Sequence, residues 1–86
     1  MLKELTLFYA DWCTPCKKKP KQYIDDFSDN YRVTKVNVDE NTDLVDTFEV
    51  KALPTIILMD DGEELDRVVG SVTESQVIDK LNLEKG

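Results

Sequence analysis

At 86 residues the chain has room for one small domain with a single core, and at 41% hydrophobic and 34% charged it has an ordinary globular composition. No apolar run approaches the ~20 residues of a membrane-spanning helix, and no charged-then-apolar signal follows Met1, so a cytoplasmic address is expected. A net charge of −7 argues against nucleic-acid binding, which depends on neutralising phosphates, and the lack of histidine removes Cys-His catalysis and His-ligated metal sites.

Residues Lys3 to Ala10 read as a first strand, apolar enough to lie centrally in a sheet. Straight after it comes Trp12-Cys13-Thr14-Pro15-Cys16, which holds both cysteines of the chain. A hydrophobic strand, then Cys-x-x-Cys, then a helical stretch is the context in which this spacing reads as a redox dithiol. A thiolate at a helix start meets unpaired backbone N–H groups and the positive end of the helix dipole, which lower its pKa. A second thiol one turn later lies close enough to form a disulfide with it. Cys13, at the helix start, is therefore the expected nucleophile, and Cys16, a turn inside, the resolver. Pro15 suits the first turn, where no backbone donor is missed. The helix is expected to reach about Ser28, with Cys16, Tyr23, Ile24 and Phe27 on one apolar face and a kink at Pro20.

Tyr31 to Asp39 is the second strand, with Val36 and Val38 alternating against Lys35 and Asn37. Asn41 or Thr42 is placed to cap a short helix carrying Leu44, Val45 and Phe48. Thr55 to Met59 is the third strand, Asp60-Asp61-Gly62 a turn, and Glu63 to Val69 the returning fourth. Thr73 with Gln76 forms a capping box opening a last helix that buries Val77, Ile78 and Leu81. The order β-α-β-α-β-β-α, with a right-handed parallel crossover first and a hairpin later, implies an α/β fold. Its sheet is mixed and four-stranded, with helices on both faces. Residues 1–86 are read as one domain, with no repeat, linker or low-complexity segment.

A disulfide closing so short a loop constrains the unfolded chain least, so stapling is a poor reason for the pair. Four-coordinate zinc would need a dimer, because one chain offers two ligands. Lys17, Lys18, Lys19 and Lys21 read as a solvated helix face whose charge favours the Cys13 thiolate slightly. Asp60, Asp61, Glu63, Glu64 and Asp66 read as a solvated hairpin rather than a calcium loop. With three glycines, none in a phosphate-loop pattern, no nucleotide site is expected.

The run Trp12-Cys13-Thr14-Pro15-Cys16 resembles the Trp-Cys-Gly-Pro-Cys motif of the thioredoxin family, with Thr14 in place of the glycine. Leu53-Pro54-Thr55 resembles the family's Ile-Pro-Thr, and the likeness continues through Lys35-Val36-Asn37-Val38-Asp39, the Asp61-Gly62 hairpin and Gly70. It extends from about Leu5 to Leu81. In extent the chain is similar to the minimal, glutaredoxin-like version of the fold, with no strand and helix ahead of Lys3.

The resemblance implies a cis bond between Leu53 and Pro54, facing the dithiol, with the Leu53 backbone free to pair with an extended substrate. It implies a substrate surface formed by Trp12, Thr14, Pro15, Leu53, Pro54 and Gly70. Two departures matter. Leu7 stands where the family buries an aspartate credited as proton acceptor, and Tyr9 stands where a second tryptophan is common. Lys35, deprived of that acid, is expected to reach solvent or to add to the positive field at Cys13. Cys16 is then expected to lose its proton to water or an exposed base, and the outer thiol to titrate at or below the ~7 of the family's dithiol.

The expectation is a monomeric thiol–disulfide oxidoreductase that reduces protein disulfides. It needs no cofactor beyond the Cys13–Cys16 pair and no metal, with electrons supplied by a thioredoxin reductase or a small thiol. No nucleic-acid or membrane partner is expected. The rivals are a glutathione-dependent, glutaredoxin-type reductase and a non-catalytic binding subunit with the same fold.

Overall fold

A computed structural model describes residues 2–84, without the side chains of Lys18 and Lys19. Strand β1 (Lys3–Tyr9) lies inside the sheet, and its run Leu5-Thr6-Leu7-Phe8 is buried throughout, as befits a strand covered on both faces. It pairs in parallel with β2 (Tyr31–Asn37) on one side and antiparallel with β3 (Thr55–Asp60) on the other. β4 (Glu63–Val69) closes the antiparallel hairpin with β3, giving the strand order β2-β1-β3-β4. Three helices complete the chain: α1 (Thr14–Tyr23) between β1 and β2, α2 (Thr42–Thr47) between β2 and β3, and α3 (Glu74–Leu81) at the end.

Alternation along the strands sends apolar residues to two cores. Leu5, Leu7, Ile56, Leu58 and Val68 join Tyr23, Ile24 and Phe27 of the first helical region and Val77 and Leu81 of α3. Phe8, Val36, Ile57 and Met59 face the other way, with Val45 and Phe48 packed against them from α2. Helices therefore cover both faces of the four-stranded mixed sheet, as the element order implies.

Boundaries differ from the sequence reading where local hydrogen bonds end an element early. β1 stops at Tyr9 because the Ala10 carbonyl turns inward to accept from the Cys13 N–H at 3.1 Å. β2 stops at Asn37, whose side-chain oxygen accepts from the Asp39 N–H at 3.0 Å in place of a ladder bond. The single helix expected to reach Ser28 is divided: α1 ends at Tyr23 and a 3₁₀ turn, Ile24–Phe27, follows. Pro20 lies inside α1 and has no N–H for the Cys16 carbonyl, yet the helix continues past it to Tyr23. Asn41 occupies the N-cap position of α2 but makes no capping bond; its amide donates to the Asn37 carbonyl at 2.9 Å.

Other local signals hold. Asp61 and Gly62 both have positive φ, the primed turn that matches the twist of a two-stranded hairpin. The Thr73–Gln76 capping box makes both reciprocal bonds at the start of α3. Val77 and Leu81 are buried there, and Ile78 is half-buried.

Candidate active site

The strand β1 delivers the chain to one end of the sheet, and the turn after Tyr9 brings Cys13 to the N-cap of α1. Its sulfur accepts a hydrogen bond from the Cys16 N–H at 3.3 Å, the bond a capping side chain makes to an otherwise unpaired donor. Thr14 and Pro15 form the exposed first turn, and Pro15 leaves no donor unsatisfied there. Cys13 and Cys16 are joined as a disulfide with their Cα atoms 5.3 Å apart. The two residues are not equivalent: Cys13 keeps 6% of its surface accessible, whereas Cys16 is fully buried. Whatever approaches from solvent meets Cys13 first.

Around the pair, Ala10 completes a small buried cluster against which Tyr9, Val38 and Leu53 pack. Leu53 thus reaches the dithiol from the loop between α2 and β3. The bond from Leu53 to Pro54 is cis, as the resemblance implied. Gly70, at φ 100°, donates its N–H to the Pro54 carbonyl at 2.8 Å, which ties the end of β4 to the same corner. A side chain there would meet no atom within 4 Å, so the backbone conformation, not space, is what favours glycine. Trp12 is 68% exposed beside Cys13, with its indole N–H donating to the Asp39 carboxylate at 3.0 Å. Trp12 is therefore a surface residue and not part of the core.

The structure therefore brings Trp12, Thr14, Pro15, Tyr9, Leu53, Pro54 and Gly70 to one end of the molecule with the cysteines. Lys35 is not among them. Its ammonium is 2.9 Å from the Asp25 carboxylate of the 3₁₀ turn, and both side chains are exposed. Of the two outcomes expected for Lys35, solvent wins over the field at Cys13, because Asp25 supplies the nearer opposite charge. Leu7, next to Lys35 in register, is fully buried. Within the lysine run, Lys17 is exposed and Lys21 is half-buried, its ammonium 4.4 Å from the centre of the Tyr9 ring. The side chains of Lys18 and Lys19 lie outside the described residues.

Two contacts near the cysteines escaped the sequence reading: Asp39 on Trp12, and Lys21 on Tyr9. Asp39 closes the run Lys35-Val36-Asn37-Val38-Asp39, but nothing local shows that its carboxylate meets an indole 27 residues earlier. Among the described residues no group of three or more His, Cys, Asp or Glu could hold a metal, and no helix is long and apolar enough to cross a membrane.

A family model described as thioredoxin matches residues 3–83. The thioredoxin of Mycoplasma genitalium is 38% identical over 78 residues, which span 87% of this chain and 76% of that protein. Thioredoxin 1 of Synechococcus elongatus is 32% identical over 78 residues, spanning 87% and 73%. Among solved structures, a mutant thioredoxin from Halobacterium salinarum has a TM-score of 0.82 at 35% identity, covering 90% of this chain and 69% of that one. The oxidized form of mitochondrial thioredoxin 3 from Saccharomyces cerevisiae gives 0.80 at 30% identity, covering 94% and 78%.

Proposed function

The chain belongs to the thioredoxin family and is a thiol–disulfide oxidoreductase, and from that premise we propose how its two cysteines divide the reaction. Cys13 is the nucleophile. In the reduced protein its thiolate at the N-cap of α1 attacks one sulfur of a substrate disulfide. The substrate S–S bond breaks, a mixed disulfide forms, and the leaving substrate sulfur takes up a proton. Cys16 then loses its proton and attacks the Cys13 sulfur. The Cys13–Cys16 bond forms, the second substrate thiol departs, and two electrons have passed to the substrate. The observation that carries this assignment is the geometry at the helix start: the Cys13 sulfur accepts the Cys16 N–H, and residue Cys13 keeps some accessible surface while Cys16 is enclosed.

Trp12, Thr14, Pro15, Leu53, Pro54 and Gly70 form the substrate surface in this reading. An extended substrate strand pairs with the backbone at Leu53, next to the buried edge of the dithiol. Tyr9 supports the dithiol from below, and Lys35 acts only on the outer surface through Asp25. Residues 1–86 work as one monomeric domain in the cytoplasm, carrying electrons from a thioredoxin reductase or a small thiol to disulfide-containing proteins. No cofactor is needed besides the dithiol.

Serine variants test the division of labour. Cys13→Ser is expected to abolish reduction of an insulin-type disulfide. Cys16→Ser is expected to trap a mixed disulfide through Cys13, visible by mass spectrometry, because nothing remains to resolve it. Faster alkylation of Cys16 than of Cys13 in the reduced native protein would reverse the assignment.

A further inference from the structure

We propose that Lys21, held against Tyr9, is a positioning residue for the dithiol that lowers the proton affinity of the buried Cys16 thiol. The proposal rests on the dithiol reading above. On the face of β1 beneath α1 the side chains in sequence are Leu5, Leu7 and Tyr9, so that strand offers the resolving thiol no carboxylate. Tyr9 packs against the Ala10, Cys13 and Cys16 cluster and also against the larger core, so it forms the wall between them. Over that ring stands the Lys21 ammonium, 4.4 Å from the centroid and in the geometry of a cation–π contact.

Lys21 lies in the last turn of α1, where a cation also complements the helix dipole. Side chains on a helix lean toward its N-terminus, however, and the Lys21 ammonium ends over the Tyr9 ring, which itself packs against the cysteine cluster. Half-buried and in contact with an aromatic face, the charge is less screened than a freely solvated one. Cys16 is fully buried in the disulfide form, and a positive field beside such a site favours loss of the proton once the thiol is free.

The other charges near α1 are placed differently. Lys17 shares the helix and is exposed. Asp25 in the 3₁₀ turn is taken by Lys35 of β2, and Asp26 follows it. Glu74 opens α3 and acts on Tyr23. In the loops, Asp39 holds Trp12, and Asp11 accepts from the Asn37 amide at 3.5 Å. Among the described residues, Lys21 is the cation set against the dithiol wall.

The chemistry follows from this placement. During resolution the Cys16 proton passes to water, the thiolate displaces the substrate sulfur from Cys13, and Lys21 favours the ionised form throughout. The reduced dithiol is stabilised relative to the disulfide once either thiol ionises, so the protein becomes a slightly better oxidant.

The test uses the full chain and three proteins: native, Lys21→Met, which keeps the stem, and Lys21→Arg, which keeps the charge and the ring contact. Thiolate absorbance against pH and the redox equilibrium with glutathione are measured on each, with thermal unfolding as the control for folding. In Lys21→Met the inner-thiol titration is expected to move up by about half a pH unit, roughly a threefold change in ionisation. The dithiol–disulfide equilibrium is expected to move toward the disulfide in the same sense, and Lys21→Arg to restore both. Equal titrations in Lys21→Met and native protein would overturn the proposal, as would equal shifts in Met and Arg variants. Loss of insulin reduction by the native protein would instead overturn the dithiol reading itself.

Discussion

Leu7 sits at the centre of the sheet with no accessible surface, in the cluster that α1 and α3 cover. A carboxylate there would need a partner, and the nearest cation in register, Lys35, is engaged by Asp25. Two substitutions separate packing from charge. Leu7→Ala is expected to destabilise the fold by about 2–5 kcal/mol through the cavity it leaves. Leu7→Asp adds the desolvation of a carboxyl group, which is held protonated in the folded state because burial disfavours its charge. Its folded pKa then lies above the unfolded one, so the Asp deficit relative to native protein grows as pH rises above ~4. Urea unfolding of both variants at pH 4 and pH 7 measures this. A pH-independent Asp deficit would mean that Lys35 leaves Asp25 and pairs with the new group. Residues such as Leu7, Cys13 and Cys16 were legible from the sequence because each carries its meaning in its own neighbourhood. Asp25 was not: its value lies in meeting Lys35 across a turn and a strand, ten residues on.

Elements whose signals are local came through intact. The Asp61-Gly62 turn and the Thr73–Gln76 box each need only four consecutive residues, so the sequence carries them whole. The end of α1 did not, since apolar spacing continues through Ile24 and Phe27 while the backbone tightens into a 3₁₀ turn. What fixes that end is tertiary. The Tyr23 hydroxyl donates to the Val72 carbonyl at 3.0 Å, clamping the last residue of α1 to the segment that leads into α3. Burial, with Glu74 nearby, pushes the Tyr23 hydroxyl up to about 12 from its usual 10. The folded state thus holds this proton more tightly than the unfolded chain. The clamp contributes fully below pH ~10 and its contribution is lost as pH rises through about 12. Tyrosine absorbance is expected to show the Tyr23 phenol ionising about two units late. Tyr23→Phe is expected to flatten the fall in stability between pH 10 and 12. An unchanged alkaline limb in that variant would assign the fall to other groups.

For the molecule as a whole the strongest long-range feature is charge, with 18 acidic against 11 basic residues. Opposing that imbalance are local pairs: Lys35 with Asp25, Arg67 with Glu64, and Lys80 with Asp66. The Arg67 guanidinium holds the Glu64 carboxyl below the usual carboxylate range, and also donates to the Phe48 carbonyl at the end of α2. Hydrogen bonds from the Arg67 N–H and from Lys80 do the same for Asp66. The Lys35–Asp25 and Lys80–Asp66 pairs are exposed and contribute little, and salt weakens them. The net repulsion works over a longer range. The Cα trace measures only 31 × 27 × 18 Å, so at about 10 mM salt, where the Debye length is ~30 Å, nearly every charge acts on every other. At about 100 mM that length falls to ~10 Å, which removes most of the repulsion across the molecule and little of a pair in contact. The two effects therefore have opposite signs, and range decides between them. The urea midpoint at pH 7 is expected to rise between about 10 and 100 mM potassium chloride. The rise should be smaller in a variant with neutral residues replacing Asp60, Asp61 and Glu63 at the acidic hairpin, which relieves the same repulsion without touching a recorded ion pair. A midpoint that falls with salt would show that the three pairs outweigh the net charge.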